Sequence, residues 1–199
     1  MNGPAVPFGP AADAGVADAA DADAADADAA DAGVAEADAV DADAVIAAAR
    51  ERGWTLATAE SLTAGAVVAR LVDVPGASDV VVGGAACYSY EAKTRLLEVD
   101  AALLERTGAV TAEVAAAMAE GAQRLYDADL AVSTTGVAGP GPDARGVPAG
   151  TVHLGIAGRG RPTRTREVRL SGGRAAVRAL AVQAALEELA HELSSSSEA

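Results

Sequence analysis

The sequence predicts an α/β layered domain with a mixed sheet, and three observations carry that expectation. Short apolar runs of strand length alternate with helix-length, alanine-rich segments between Ala44 and Leu193. Gly- and Pro-rich punctuation separates them, most densely over Gly136 to Pro142. The last two strand-like runs, Thr151 to Ala157 and Thr163 to Leu170, flank Gly158-Arg159-Gly160 and read as a hairpin. An antiparallel hairpin added to strands that alternate with helices makes the sheet mixed.

Composition narrows the possibilities around that core. The 199 residues suit one domain of ordinary size. The chain is 51% hydrophobic but only 3% aromatic, so its core must be built from Ala, Val and Leu. Residues 1–43 contain ten Asp and one Glu and no Lys or Arg, so 11 of the 14 excess negative charges lie there. The rest of the chain holds 15 basic and 18 acidic residues, a net of −3. That acidity argues against non-specific binding of nucleic acid. The Ala-Asp alternation has no apolar stripe to bury, and residues 1–43 are expected to form a disordered acidic tail. The folded domain is expected over residues 44–193, with a short disordered tail over 194–199. Cys87 is the one cysteine, which excludes an internal disulfide and fits a reducing compartment. No apolar run is long enough to span a bilayer, and the N-terminus lacks the basic and apolar regions of a secretory signal. A cytoplasmic protein without a membrane partner is the expectation.

The elements follow in order. Ala44 to Arg52 reads as a helix with basic residues in its last turn and Gly53 to end it. Trp54 to Ala57 reads as a strand and Ala66 to Val72 as a helix. Val80 to Tyr88 is a second apolar run, in which Gly83-Gly84 signals a bulge or a close backbone approach. Helices are expected over Ser89 to Leu97, Ala101 to Arg106 and Ala112 to Tyr126, the last capped by Thr111. Leu130 to Thr134 is the third strand, and a final helix runs from Ser171-Gly172-Gly173 to about Leu193.

Between the first strand and its helix lies Thr58-Ala59-Glu60-Ser61-Leu62-Thr63-Ala64-Gly65. A helix N-terminus presents unpaired N–H groups and favours negative charge, so it can hold a phosphate or an oxyanion. A serine set there can act as a nucleophile, or Ser61 or Thr63 can simply cap the helix. Open α/β sheets gather ligands at the carboxyl ends of their strands. Three such loops, carrying Ser61, Tyr88 to Lys93, and Gly136 to Gly139, are expected to converge.

These segments together resemble the CinA C-terminal domain family, whose characterised members are nicotinamide-nucleotide amidohydrolases. The resemblance runs from about Val45 to Leu193. It rests on AESLTAG (Ala59 to Gly65), YSYEAK (Tyr88 to Lys93), GAVTAEVAAAMAEGA (Gly108 to Ala122), TGVAGPGP (Thr135 to Pro142) and PAGTVHLGIA (Pro148 to Ala157). It implies a three-layer α/β/α domain with a mixed β-sheet. The implied reaction is hydrolysis of the carboxamide of nicotinamide mononucleotide to the acid and ammonia, in pyridine nucleotide salvage, with no metal and no organic cofactor. The implied assembly is a homo-oligomer. Two positions depart from the family pattern: Tyr90 stands where Asn is frequent, and Ala64 stands for a glycine. An N-terminal molybdopterin-binding-like domain, present in longer members, has only the acidic tail in its place, so a stand-alone form is expected. The alternative reading is a non-catalytic nucleotide- or partner-binding module of the same fold.

Under the enzymatic reading Ser61 is the candidate nucleophile. Neither His153, inside a strand, nor His191, near the end of the last helix, is an evident base. Lys93, the one lysine in the chain, is the candidate base, because lysine can be deprotonated where burial lowers its pKa and arginine cannot. Tyr88 is the candidate proton relay or orienting group for the amine. Backbone amides of Thr63, Ala64 and Gly65 are expected to hold the oxyanion. Gly136 to Gly139, with Ala138 between them, are expected to bring amides to the phosphate, with Thr135 adding a hydroxyl. Glu60 is expected either to orient Lys93 or to favour the helix N-terminus. Cys87, in an apolar run, is expected to be a buried, inert thiol.

Overall fold

A computed structural model describes residues 40–195 of the chain. The expected acidic tail over residues 1–43 falls outside the described residues except for its last four, and so does most of the expected tail over 194–199.

Helix α1 (Ala42–Arg52) begins at an N-cap, Asp41, whose carboxylate accepts from the Asp43 amide. It ends at Gly53 in the left-handed conformation (φ 64°), which only glycine adopts at low cost. Strand β1 (Leu56–Glu60) is wholly buried. It starts two residues later than the apolar run suggests, because the Trp54 ring lies beneath the guanidinium groups of Arg52 and Arg161 instead of entering the sheet. It also continues through Thr58, Ala59 and Glu60, so the strand reaches the residue before Ser61. Helix α2 (Ala66–Val72) and a 3₁₀ turn (Ala77–Asp79) lead into strand β2 (Val81–Ala86). Helices α3 (Tyr90–Leu97), α4 (Ala101–Thr107) and α5 (Ala112–Tyr126) follow, each with a side-chain cap, from Ser89, Asp100 and Thr111 respectively. Strands β3 (Leu130–Gly136), β4 (Thr151–Gly158) and β5 (Arg164–Arg169) precede the long helix α6 (Arg174–Ser195).

The five strands form one mixed sheet in the order β2-β1-β3-β4-β5. β1 lies parallel to both β2 and β3, whereas β4 runs antiparallel to β3 and to β5. Both meanings of Gly83-Gly84 are realised. The register slips between Leu56 and Ala57 as Val82 is passed over, and a side chain at Gly83 or Gly84 would strike the Tyr126 ring or Thr58 and Val68.

Strand alternation divides the core between two layers. Leu56, Leu130, Val132, Val152, Leu154 and Ile156 pack against α1, α2 and α6. Ala57, Ala59, Ala85 and Ala131 pack against α3, α4 and α5. The result is helices on both faces of a mixed sheet, with the carboxyl ends of β1, β2 and β3 along one edge. Among the described residues no helix is long and apolar enough to cross a membrane.

Candidate active site

The site is a consequence of pleating. Successive side chains on β1 point to opposite faces, so Glu60 faces the α2 layer and Ser61 the α3 layer. The Glu60 carboxylate, 1% exposed, accepts from the amides of Gly65 (2.8 Å), Val67 (3.0 Å) and Val68 (2.9 Å) and from the Thr58 hydroxyl (3.0 Å). It is thus the anion that the N-terminus of α2 attracts, and it makes no contact with Lys93. Of the two roles open to Glu60 in the sequence, it takes the helix N-terminus. Neither Ser61 nor Thr63 caps α2, whose N-cap is Gly65 without a side-chain bond. Gly65 gives its N–H to Glu60, so of the amides expected to hold an oxyanion this one is already engaged. Ala64 itself has a positive φ of 54°, a strained conformation for a residue with a Cβ.

Ser61 is nearly buried, and its Oγ lies 2.9 Å from Lys93 Nζ. Lys93, on the first turn of α3, is fully buried. Its ammonium donates to the carbonyl of Cys87 (2.6 Å) and reaches that of Tyr88 (3.4 Å) as well as Ser61 Oγ. Desolvation lowers the Lys93 pKa to about 8, offset in part by the nearby Cys87 thiol. A neutral amine has two N–H groups and one lone pair. The two carbonyls match the two N–H groups, and the lone pair then faces the serine hydroxyl. The Cys87 thiol is buried, and desolvation pushes its pKa up, with the Lys93 charge opposing, so it is held as an unreactive thiol.

Tyr88 is 66% exposed, and its hydroxyl accepts from Arg174 (3.3 Å). Only the Tyr88 carbonyl meets Lys93, so the phenol is not positioned as its relay here. The Thr63 hydroxyl is buried against that of Thr134 (2.7 Å), tying the serine turn to the end of β3. Ser61 N–H donates to Thr134 O (2.9 Å), a second tie. Thr135 points to the opposite face and donates to Ala109 O (2.7 Å), so its hydroxyl is already engaged. In the expected phosphate loop, the Val137 amide is taken by Thr151 O, and Ala138 is buried in the core. Gly136 is packed against Thr151 and Val152 as part of β3. Gly139 lies beyond the end of β3, its carbonyl accepting from Arg174 (3.0 Å).

Two residues missed in the sequence complete the arrangement. Arg178 reaches from α6 to the carbonyls of Leu62 (2.9 Å) and Thr63 (3.0 Å) and holds the serine turn. Arg174 joins Tyr88 to the Gly139 loop. They stand four residues apart on the first turns of α6, which carry no acidic residue. Cations at a helix N-terminus oppose the dipole, and that misplacement was a readable signal of a local task. His153 is a buried strand residue whose Nδ1 has no partner, and burial lowers its pKa. It lies on β4, directly across from Thr135, and His191 is on the surface of α6. Among the described residues no cluster of three or more His, Cys, Asp or Glu is placed to hold a metal ion.

The fold and this geometry define a three-layer α/β domain with a buried serine–lysine pair at the carboxyl edge of its parallel strands. The chain belongs to the family of the CinA C-terminal domain, whose model matches residues 38–193. It is 50% identical over 130 residues to a CinA-like protein of Mycolicibacterium paratuberculosis, a match covering 63% of this chain and 30% of that one. The chain spans about a third of the length of the curated relatives it matches. A CinA superfamily protein from Klebsiella pneumoniae superposes with a TM-score of 0.75 at 35% identity, covering 77% of this chain and 96% of that one. A competence/damage inducible protein from Agrobacterium tumefaciens superposes with a TM-score of 0.73 at 36% identity, over 77% and 93% of the two chains.

Proposed function

We propose that this chain hydrolyses the carboxamide of nicotinamide mononucleotide to nicotinate mononucleotide and ammonia, with Ser61 as nucleophile and Lys93 as base. The observation that carries the reading is the 2.9 Å contact between Ser61 Oγ and a fully buried Lys93 Nζ. A serine is a weak nucleophile until a neighbouring base takes its proton, and a pKa near 8 keeps a usable share of the lysine neutral at physiological pH. Ser61 Oγ attacks the carboxamide carbon as Lys93 accepts its proton. The tetrahedral oxyanion is met by the amides of the Leu62 to Ala64 turn. Lys93 returns the proton to the amide nitrogen, ammonia leaves, and an acyl-enzyme remains. Water, deprotonated by the same amine, then releases the acid.

An anionic substrate fits the charges around the serine. Lys93 meets Ser61, Arg178 meets the turn after it, and Arg174, one helical turn before Arg178, bridges Tyr88 and Gly139, all through neutral oxygens. Arg174, exposed and bonded to Gly139 and Tyr88, is suited to the substrate phosphate, a role in which it replaces Thr135. Family membership supports the same substrate class.

Ammonia release from nicotinamide mononucleotide by the purified protein tests the reading. Turnover that rises about tenfold per pH unit below 8 and levels above it is the expected profile for a base of that pKa. Arg174→Ala raises KM about 10- to 100-fold with kcat little changed, the loss expected for one charge-assisted contact. Mononucleotide binding that stabilises the fold without ammonia release would identify a binding module instead.

A further inference from the structure

Among the described residues one buried side-chain atom has no hydrogen-bond partner, Nδ1 of His153, and the mechanism above does not use it. Its place is set by strand register. His153 on β4 lies opposite Thr135 of β3 and opposite Glu167 of β5. Thr135 in turn stands one residue past the Glu60–Thr134 pair, level with Ser61 at the end of β1. Gly155, two residues along β4 from His153, packs against Ala115 of α5, so alternation sends the imidazole toward the same helix. A titratable group therefore sits under the start of α5, in the row of residues that ends at the serine.

Two carboxylates and one guanidinium act on the ring, and all three are engaged elsewhere. From β5, Glu167 Oε2 lies 3.8 Å from Nε2, while Oε1 of the same carboxylate meets Arg169 at 2.6 Å. Arg169 also donates to the Thr151 hydroxyl. From the first turn of α5 comes Glu113, whose carboxylate bonds to its own amide and to the Thr111 hydroxyl, with Arg106 of α4 adding a weaker attraction. Thr111 is the N-cap of α5 and accepts from the Val114 amide (3.2 Å). Two residues before it, the Ala109 carbonyl accepts from Thr135. Glu113 thus completes the cap that holds α5 beside the end of β3. A neutral imidazole leaves this arrangement undisturbed. A charged one carries an N–H on both nitrogens and needs an acceptor for each. Burial accordingly lowers the His153 pKa, with Glu167 opposing, Arg169 assisting and Glu113 opposing more weakly.

We infer that His153 is an acid-triggered switch: proton uptake by its ring draws the Glu113 carboxylate out of the α5 cap and loosens the start of that helix from the sheet edge that carries Ser61. Nothing in the switch depends on the reaction assigned to the serine. The closed form holds the ring neutral, so the opened chain binds more protons wherever pH lies between the two pKa values of His153. Closure is therefore complete above the ordinary histidine pKa of 6.5 and weakens as pH falls from there toward the lower, folded value. Glu113 is the carboxylate that moves, because Glu167 is already matched by the full charge of Arg169 at close range.

NMR of the full chain tests the switch directly, because the chain has only two histidines and His191, exposed on α6, serves as the reference. Imidazole and amide signals are followed from about pH 8 to about pH 5, the range in which histidines titrate. His153 is expected to titrate below His191. The amides of Val114 and Ala115 should shift with the His153 midpoint and lose exchange protection, once corrected for the intrinsic rate. Glu113→Gln removes the charge that the ring claims, so the His153 midpoint should fall further while the α5 amides stay still. His153→Gln, neutral at every pH, should abolish the acid response of α5. A His153 that titrates together with His191 overturns the proposal, as do α5 amides that ignore the His153 midpoint or respond equally in His153→Gln. If His153→Gln does not fold, the titrations of wild type and Glu113→Gln still decide.

Discussion

The two faces of the sheet are packed by opposite means. Toward α1, α2 and α6 the strands present Leu56, Leu130, Val132, Leu154 and Ile156, which meet Ile46, Leu71, Leu186, Leu189 and Leu193. Toward α3, α4 and α5 they present mostly alanine, with Ser133 and Gly155. On the first face, bulk fills the space between the layers. On the second, small residues let α5 lie against the sheet so closely that Ser133 Oγ donates to Ala115 O at 2.6 Å. A Cβ at Gly155 would come within 2.3 Å of the same carbonyl oxygen. The side of the domain that holds Ser61 and Lys93 is thus fixed by backbone proximity and the opposite side by volume. A lysine can be sunk completely into the close-packed side because Cys87 and Tyr88 bring carbonyls to its amine.

The largest effect is expected at the lysine. Lys93→Arg keeps a charge but cannot supply a base and adds bulk where packing is tightest, so ammonia release should fall by about 10²–10⁴. Ser61→Ala should fall as far, and the double variant little further, because the pair acts as a unit. Retained turnover in Lys93→Arg would move the base to another group.

Next come the two packing modes themselves. Leu154→Ala removes volume from the bulky face and should cost about 2–5 kcal/mol in denaturant unfolding. Gly155→Ala adds a single methyl to the close face and should cost about 1–3 kcal/mol, since the neighbour is backbone and cannot rotate away. A neutral Gly155→Ala would mean that α5 can slide, and the distinction between the faces would fail.

Burial of the amine also makes stability depend on pH. The Lys93 pKa is lower folded than unfolded, so between about 8 and 10.5 the unfolded chain binds more protons and stability rises with pH. Relative to Lys93→Met, the wild type should gain on the order of 3 kcal/mol across that window, read as a difference in unfolding free energies. A constant difference would mean that the amine is not desolvated.

The smallest effect is expected at the exposed ion pair of α3. Arg95 meets Glu91 at 2.8 Å with both side chains largely in solvent. Arg95→Ala should cost roughly 0–1 kcal/mol in denaturant unfolding, because an exposed pair is screened.

Much of this was legible because periodicity and punctuation act locally. The order of helices and strands, the hairpin of β4 and β5, and the gathering of the Ser61 and Lys93 loops at one edge all follow from patterns a few residues long. The exceptions are equally instructive. Glu60 was grouped with the turn because Thr58-Ala59-Glu60 is polar for a buried strand. Once the strand is extended through it, alternation assigns Glu60 to α2 and Ser61 to α3. Thr135 was read as a phosphate donor because its loop is glycine-rich, but its place on β3 turns it toward Ala109. Arg174 and Arg178 escaped notice because their partners lie 86 and 116 residues away, beyond any local pattern.

That last separation bears on how the protein is made. Arg178 grips the carbonyls of Leu62 and Thr63 from α6, so the serine turn is completed by a segment synthesised more than a hundred residues after it. At translation rates of roughly 5–20 residues per second, on the order of ten seconds separates the two. During that interval Ser61 has been synthesised but its latch has not. The serine turn is therefore completed only once α6 packs onto it, and a ribosome-bound fragment lacking α6 carries the serine without the grip that sets it.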